Sequence, residues 1–217
     1  TTRDIVLRPA EFFRDTAAMM VAEGGLSAAI AYAVIIQWVA SFFNFIWRVV
    51  IGVAIESRVD DLFRIASDVL QEGAVGSDRL DSLRERMLEF LFGASSILLT
   101  PFKTLIKLSL LAVLVHAAVR FFMKEEPGRP HSYSTTLKVL AYAAAPGILC
   151  VIPGIGILVA YVLGFIAAAI GLREVYRTTS ARAYLAVVFP ELVLMALLLG
   201  SFVVLLFLAF NVLRLVF

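Results

Sequence analysis

From Val139 to Leu172 the chain carries no formal charge, and the run is punctuated in its middle by Pro153-Gly154-Ile155-Gly156. As one helix rising about 1.5 Å per residue it would reach roughly 51 Å and overrun a ~30 Å hydrocarbon core. Folded back at the proline and glycines, it makes two antiparallel arms of nearly the required length. The run therefore predicts a helical hairpin inside a lipid bilayer.

Composition extends that reading to the whole chain. Hydrophobic residues make up 61% and charged residues 17%, against about 45–50% and about 25% in soluble domains. Further apolar runs lie at Leu26–Ile46, Leu108–Val119 and Leu192–Phe210. The expected fold class is all-α: a polytopic transmembrane helical bundle of about five spans, with residues 1–217 forming one membrane domain. Membrane lipids are then obligatory partners. The 19 basic and 17 acidic residues are scattered, with no block suited to neutralising phosphates, so nucleic acid is excluded as a partner. Cys150 is the single cysteine, which rules out an intramolecular disulfide or a thiolate metal cluster. Asp4, Glu11, Asp15 and Glu23 precede the first apolar span, which is longer than a signal-peptide core and is expected to remain as a membrane span.

Along the chain, residues 1–25 form an interfacial segment. Pro9 suits a first helical turn, and positions 9, 12, 13, 16, 17 and 20 follow a helical stripe. Gly24-Gly25 is a joint before the first span, which ends in Phe42, Phe43, Phe45 and Trp47. Residues 56–96 are the polar insert, with nine acids against five arginines. Val59, Leu62, Phe63, Ala66, Val69 and Leu70 line one helical face, and Leu80, Leu83, Met87, Leu88 and Leu91 line another. Two amphipathic helices are expected there, separated by Gly73 and Gly76, with Ser77 as the second N-cap. Thr100-Pro101 is expected to open the second span. Ser134 or Thr135 is expected to cap the first hairpin arm, Lys138 to snorkel to the interface, and Pro190 to bend the last span.

The lysines and arginines give the orientation. With five crossings the N-terminal side collects ten, among them Arg3, Arg8, Arg14, Arg120, Arg173, Arg177 and Arg182, against nine opposite. The hairpin tip has none. The short loops are lopsided toward the N-terminal side, so the N-terminus is assigned to the cytoplasm and the C-terminus to the outside.

Small residues recur at Gly156, Ala160, Gly164 and Ala168, one ridge of the second arm. In lipid, close backbone approach and van der Waals contact replace the hydrophobic force between helices, so this ridge reads as a packing face, with Ala141 and Ala145 opposite; a groove for a lipid tail is the alternative. Gln37, Asn44, His116, Glu191 and Asn211 fall at membrane depth. His116 and Glu191 are the candidates for proton or ion handling. Against that stands a neutral hydrogen-bonded imidazole one turn before Arg120, and a Glu191 paired with Arg182 or with water. Lys103 and Lys107 are expected to reach lipid phosphates or an insert carboxylate.

Catalytic signatures are poor. Gly93-Ala94-Ser95 matches a short GxS pattern, but only His116 and His131 could activate the serine. Gly154-Ile155-Gly156-Ile157 has isoleucine where an intramembrane aspartyl protease needs aspartate. With no HExxH, P-loop or dinucleotide fingerprint, the expectation is a non-enzyme with no metal or cofactor, and an intramembrane hydrolase acting through Ser95 or His116 ranks last.

Ser134-Thr135-Thr136-Leu137-Lys138, Ala141-Tyr142-Ala143 with Pro146, Ile152-Pro153-Gly154-Ile155-Gly156, Gly171-Leu172 and Ala181-Arg182-Ala183 together resemble the bacterial branch of the Yip1 domain family, as do Pro9, Phe12, Phe13 and Thr100-Pro101-Phe102. The resemblance implies about five spans, a cytoplasmic N-terminus, residence in the bacterial cytoplasmic (inner) membrane and no catalytic residues. Its eukaryotic members imply trafficking and Rab GTPase partnership. The expected function is a scaffold or assembly subunit that organises a protein partner, a second copy or lipids. The alternative is a small transporter, channel or lipid-translocating protein that uses the Pro146 to Gly156 break.

Overall fold

In the computed structural model the backbone is described for residues 1–22, 24–70, 78–123 and 131–216, and side chains for these except 52–70, 78–94, 206 and 208–216. All described secondary structure is helical: α1 (Thr2–Leu7), α2 (Pro9–Val21), α3 (Leu26–Leu70), α4 (Asp78–Phe122), α5 (Tyr133–Tyr142), a 3-10 helix (Ala145–Val151), α6 (Gly156–Tyr176) and α7 (Ser180–Val216). Five segments are long and apolar enough to cross a membrane: Leu26–Ile51, Ser95–Phe122, Tyr133–Val151, Gly156–Tyr176 and Ser180–Leu205. The chain is a polytopic helical bundle.

Both described halves of the polar insert are helical, as expected, but as extensions of spanning helices and not as separate elements. Residues up to Leu70 continue α3, and those from Asp78 begin α4, so the two longest helices run past the apolar zone and pack on each other. Leu, Arg and Glu carry the helix on where hydrophobicity stops, because helix propensity does not depend on polarity. For the same reason Thr100-Pro101 lies inside α4 and does not open it. Gly73, Gly76 and Ser77, the expected divide and cap, and the side chains of the two amphipathic faces lie outside the described residues, as does the side chain of Asn211.

The N-terminal segment folds as α1 and α2, with Pro9 at the first position of α2. Its apolar stripe faces protein, not lipid. Ile5, Phe13 and Met20 are almost wholly buried, and α2 packs on α6 and α5. Removing each such side chain from water is worth roughly 1.5–3 kcal/mol, which fixes this pair of helices across one end of the hairpin.

The first hairpin arm is a composite. Beyond Tyr142 the bonds tighten from i−4 to i−3: Ala143 N–H still donates to Val139 O at 2.9 Å, whereas Gly147 donates to Ala144 O at 2.9 Å and Ile152 to Leu149 O at 2.9 Å. Pro146 lacks an N–H, so it sits in the opening turn of the 3-10 helix, where none is needed. Ten α-helical and seven 3-10 residues rise roughly 29 Å, and the 21 residues of α6 about 31 Å. Each arm is thus long enough to cross. Between them Pro153–Ile155 is a turn, with Gly154 at φ 76, a conformation that favours glycine. The expected side-chain caps are absent: the N-cap of α5 is Ser132, without a side-chain bond, and Thr135 serves elsewhere.

Candidate functional site: the hairpin and its polar anchors

Lys138 does not snorkel. It is 3% exposed, and its ammonium donates to the carbonyls of Met20 at 3.1 Å and Ala22 at 2.8 Å. These belong to the end of α2, where carbonyls lack intrahelical partners and the helix dipole favours a cation. The nearer, protein-internal partner wins over water at the interface. Thr135 adds a 3.5 Å hydroxyl bond to the same Met20 carbonyl. On the other side of α2, Arg14 reaches Glu174 of α6 at 3.4 Å, and Arg173 also binds that carboxylate.

One turn away, three helices meet at Thr136, which is fully buried. Its hydroxyl lies 3.3 Å from Ser132 O and 2.8 Å from the Tyr176 hydroxyl, which is itself 3.2 Å from Ser132 O; with one proton each, one hydroxyl donates to the carbonyl and the other donates to that hydroxyl. His116 Nδ1 stands 3.2 Å from the same Thr136 oxygen, with its ring edge-on to Tyr133 at 6.1 Å. Tyr133 donates in turn to Ser109 O at 3.3 Å. His116 is a hydrogen-bonded imidazole that joins α4 to α5 and, through Thr136, to α6.

At the other end of the hairpin the 3-10 segment leans on α3. Trp47 Nε1 donates to Cys150 O at 3.1 Å, and a Cβ on Gly147 would stand 3.1 Å from Ile36 and 3.5 Å from the Gln37 amide. Irregular backbone is tolerated at membrane depth where protein groups satisfy it, and α3 supplies those groups. The Oδ1 of Asn44 is buried with no hydrogen-bond partner. The small-residue ridge faces this arm. A Cβ on Gly156 would collide with the Leu149 carbonyl, and one on Gly164 would press on the Ala143 carbonyl at 3.3 Å; Ala160 and Ala168 are buried with them.

The remaining candidates do not converge. Lys103, Lys107 and Arg120 on α4 and Glu191 on α7 are all exposed, and none forms an ion pair with a described residue. The Glu191–Arg182 pair is absent, since the two residues stand nine residues apart on α7, about 13.5 Å of helical rise. Ser95 and His116 are 21 residues apart on α4, about 32 Å of helical rise, so they cannot form a nucleophile and base. Among the described residues no three His, Cys, Asp or Glu side chains gather.

The Yip1 domain family model matches residues 3–210, nearly the whole chain. The chain belongs to the Yip1 domain family. No curated protein and no solved structure matches it. Within this Yip1 domain the sequence reading missed Thr136, Tyr176 and Glu174 as anchors, and Gly171 as part of the ridge. A Cβ on Gly171 would come within 2.7 Å of Val139 and 3.0 Å of Phe13. Its signal was available, because Gly171 follows Ala168 at i+3 and continues the same stripe.

Proposed function

We infer that this Yip1-family protein is a non-enzymatic scaffold or assembly subunit of a bacterial cytoplasmic membrane, with its N-terminus in the cytoplasm and its C-terminus outside, organising protein partners or lipids. One observation supports this reading above the rest. The polar side chains at membrane depth around the hairpin, His116, Thr136, Lys138 and Tyr176, are engaged in tying helices together, while the unpaired charges lie on the outward faces of α4 and α7. Internal groups that only position helices leave no reacting centre, and outward charges at depth call for something outside the chain. Purification in native detergent, with mass spectrometry of the intact assembly, should show an added protein subunit or retained lipid. A bare monomer would sink the proposal.

A second reading, a transporter or lipid-translocating protein working at the Pro146 to Gly156 break, draws on the unpartnered Asn44 Oδ1 beside the 3-10 segment. Reconstituted liposomes would then show ion flux or lipid scrambling that Asn44→Leu abolishes. Liposomes showing neither would remove it.

A further inference from the structure

One outward face of α4 changes from apolar to cationic along its length. Leu105, Ile106, Ser109, Leu110 and Val113 line a shallow groove, and Ile106, Leu110 and Val113 are each more than half exposed. Positions 106, 109, 113, 117 and 120 follow at spacings of three and four, so this face continues past Ala117 to Arg120. Ala117 is exposed and adds only a methyl group. Tyr133 borders the groove from α5, donating to Ser109 O at 3.3 Å. Arg120 stands in the last turn of α4, ahead of the charged run Lys124-Glu125-Glu126, where a span meets head groups. It is exposed and makes no ion pair with a described residue. At 1.5 Å per residue the groove begins about 10 Å along the helix from Arg120 and runs on for about 12 Å, while one leaflet supplies about 15 Å of hydrocarbon.

His116 adds a second group one turn before Arg120. The two hydroxyl protons of Thr136 and Tyr176 are spent on Ser132 O and on each other, so His116 Nδ1 is the donor in its 3.2 Å contact with Thr136. The neutral ring then carries its lone pair at Nε2. That atom has no hydrogen-bond partner among the described residues. Nor is it enclosed, since Asn44 Oδ1 is the one unpartnered side-chain polar atom that the described fold buries. A fixed cation and an open acceptor thus stand at i+4 and i, above an apolar groove. Arg120 matches a phosphate, and Nε2 matches an N–H donor.

We propose that this face of α4 binds one phosphatidylethanolamine molecule, with its phosphate on Arg120, its ammonium donating to His116 Nε2 and an acyl chain in the groove from Val113 to Leu105. Charge complementarity selects the phosphate, and the open lone pair selects a head group that still has an N–H. Phosphatidylcholine has the same phosphate and the same chains but no donor. The inference rests on the assembly reading above and names the lipid that reading leaves open.

The test titrates the full chain, in detergent, with dioleoyl lipids and follows the one-lipid complex by native mass spectrometry. Phosphatidylethanolamine should half-saturate at a concentration at least threefold below phosphatidylcholine. The N,N-dimethyl lipid, nearly as bulky as phosphatidylcholine but with one N–H left, should stay with phosphatidylethanolamine. Soluble phosphoethanolamine, which has no chains, should bind at least tenfold more weakly. Arg120→Gln should weaken both lipids at least fivefold, Arg120→Lys less than threefold, and Lys107→Gln, about 140° round the helix from Arg120, less than twofold. His116→Leu leaves Thr136 its contacts with Ser132 and Tyr176 and should bring phosphatidylethanolamine to the level of phosphatidylcholine. Circular dichroism of each variant separates loss of the site from loss of fold, and the lipid series tests the site on the wild type alone. Equal binding of phosphatidylcholine and phosphatidylethanolamine, a dimethyl lipid that follows phosphatidylcholine, phosphoethanolamine that binds as well as the lipid, or an Arg120→Gln chain that binds like wild type would each overturn the site. A chain that is purified with a protein subunit or another lipid but fails these tests refutes the site and leaves the assembly reading standing. A chain purified as a bare monomer that then takes up added phosphatidylethanolamine in this pattern keeps the site and sinks that reading.

Discussion

The first hairpin arm and the last span are both apolar enough to cross a bilayer, yet they are opposite in kind. Tyr133–Val151 has a mean hydropathy of 1.4 with 67% of its window buried in protein, whereas Ser180–Leu205 has 2.4 with 11% buried. The most hydrophobic span is the one least covered by the rest of the chain. In water this would be inverted, but lipid is as apolar as leucine, so a lipid-facing helix is made of Leu, Val and Phe, while a helix packed in protein uses small residues for close approach and polar ones for internal hydrogen bonds. The hairpin's Ala141, Ala143, Ala145, Thr135, Thr136 and Lys138 are the second kind, all buried. Leu197–Leu199 and Phe202–Leu205 are the first, all exposed.

The largest contrast is expected at two glycines. Gly156→Val puts a branched side chain where even a Cβ overlaps the Leu149 backbone carbonyl, and the carbonyl cannot rotate away without opening the Pro153 turn. Gly200→Val on α7 meets nothing within 4 Å. Overpacking of this severity costs several times the ~1–3 kcal/mol of an ordinary core insertion. Membrane-fraction yield and thermal aggregation in detergent should therefore show Gly156→Val lost and Gly200→Val equal to wild type or slightly better, since valine is stiffer than glycine. If both variants behave alike, the division into packed hairpin and open last span is wrong.

Most of the architecture was legible because bilayer thickness and charge are coarse constraints that sequence satisfies openly. The Pro153-Gly154 turn, the ridge from Gly156 to Ala168 and the five spans all follow from spacing and composition. The extent of α3 and α4 was not, because a helix that leaves the membrane changes its polarity without changing its backbone, and the composition shift at residue 56 marks an environment, not an end. Lys138 was misplaced for a related reason. A lysine near a span end has two outlets, the interface and a neighbouring helix terminus, and only the docking of α2 over the hairpin decides between them. The anchors at Thr136 and Tyr176 depend on contacts 40 residues apart, which no periodicity encodes.

Lys138 gives the next prediction. Lys138→Met keeps most of the buried volume and removes the ammonium, leaving the Met20 and Ala22 carbonyls with one weak 3.5 Å hydroxyl contact between them. A buried acceptor left without its partner costs about 1–3 kcal/mol, and that cost falls on the docking of α1–α2 and not on the bilayer spans. Hydrogen exchange should quicken across residues 2–21 by one to two orders of magnitude while Gly156–Tyr176 stays protected. Equal loosening of α6 would mean that the N-terminal helices are part of the hairpin's own stability and not a separately docked pair.

The smallest expected effect lies where the two regions join. Arg177 ends α6 at φ 49, the one described non-glycine residue at positive φ, and its N–H and that of Thr178 both donate to the Arg173 carbonyl, as in a glycine-terminated helix. Its side chain makes no ion pair with a described residue. A side chain in the left-handed region costs roughly 1–2 kcal/mol relative to glycine, part of which returns as greater chain entropy in the unfolded state. Arg177→Gly should therefore stabilise the protein by about 0.5–1 kcal/mol, read as a rise of a few degrees in the detergent melting midpoint. Arg177→Ala, which loses the same charge but keeps the Cβ, should give no gain. If alanine stabilises as much as glycine, then charge repulsion with Arg173 and Arg182, and not backbone conformation, limits the junction between the packed hairpin and the open last span.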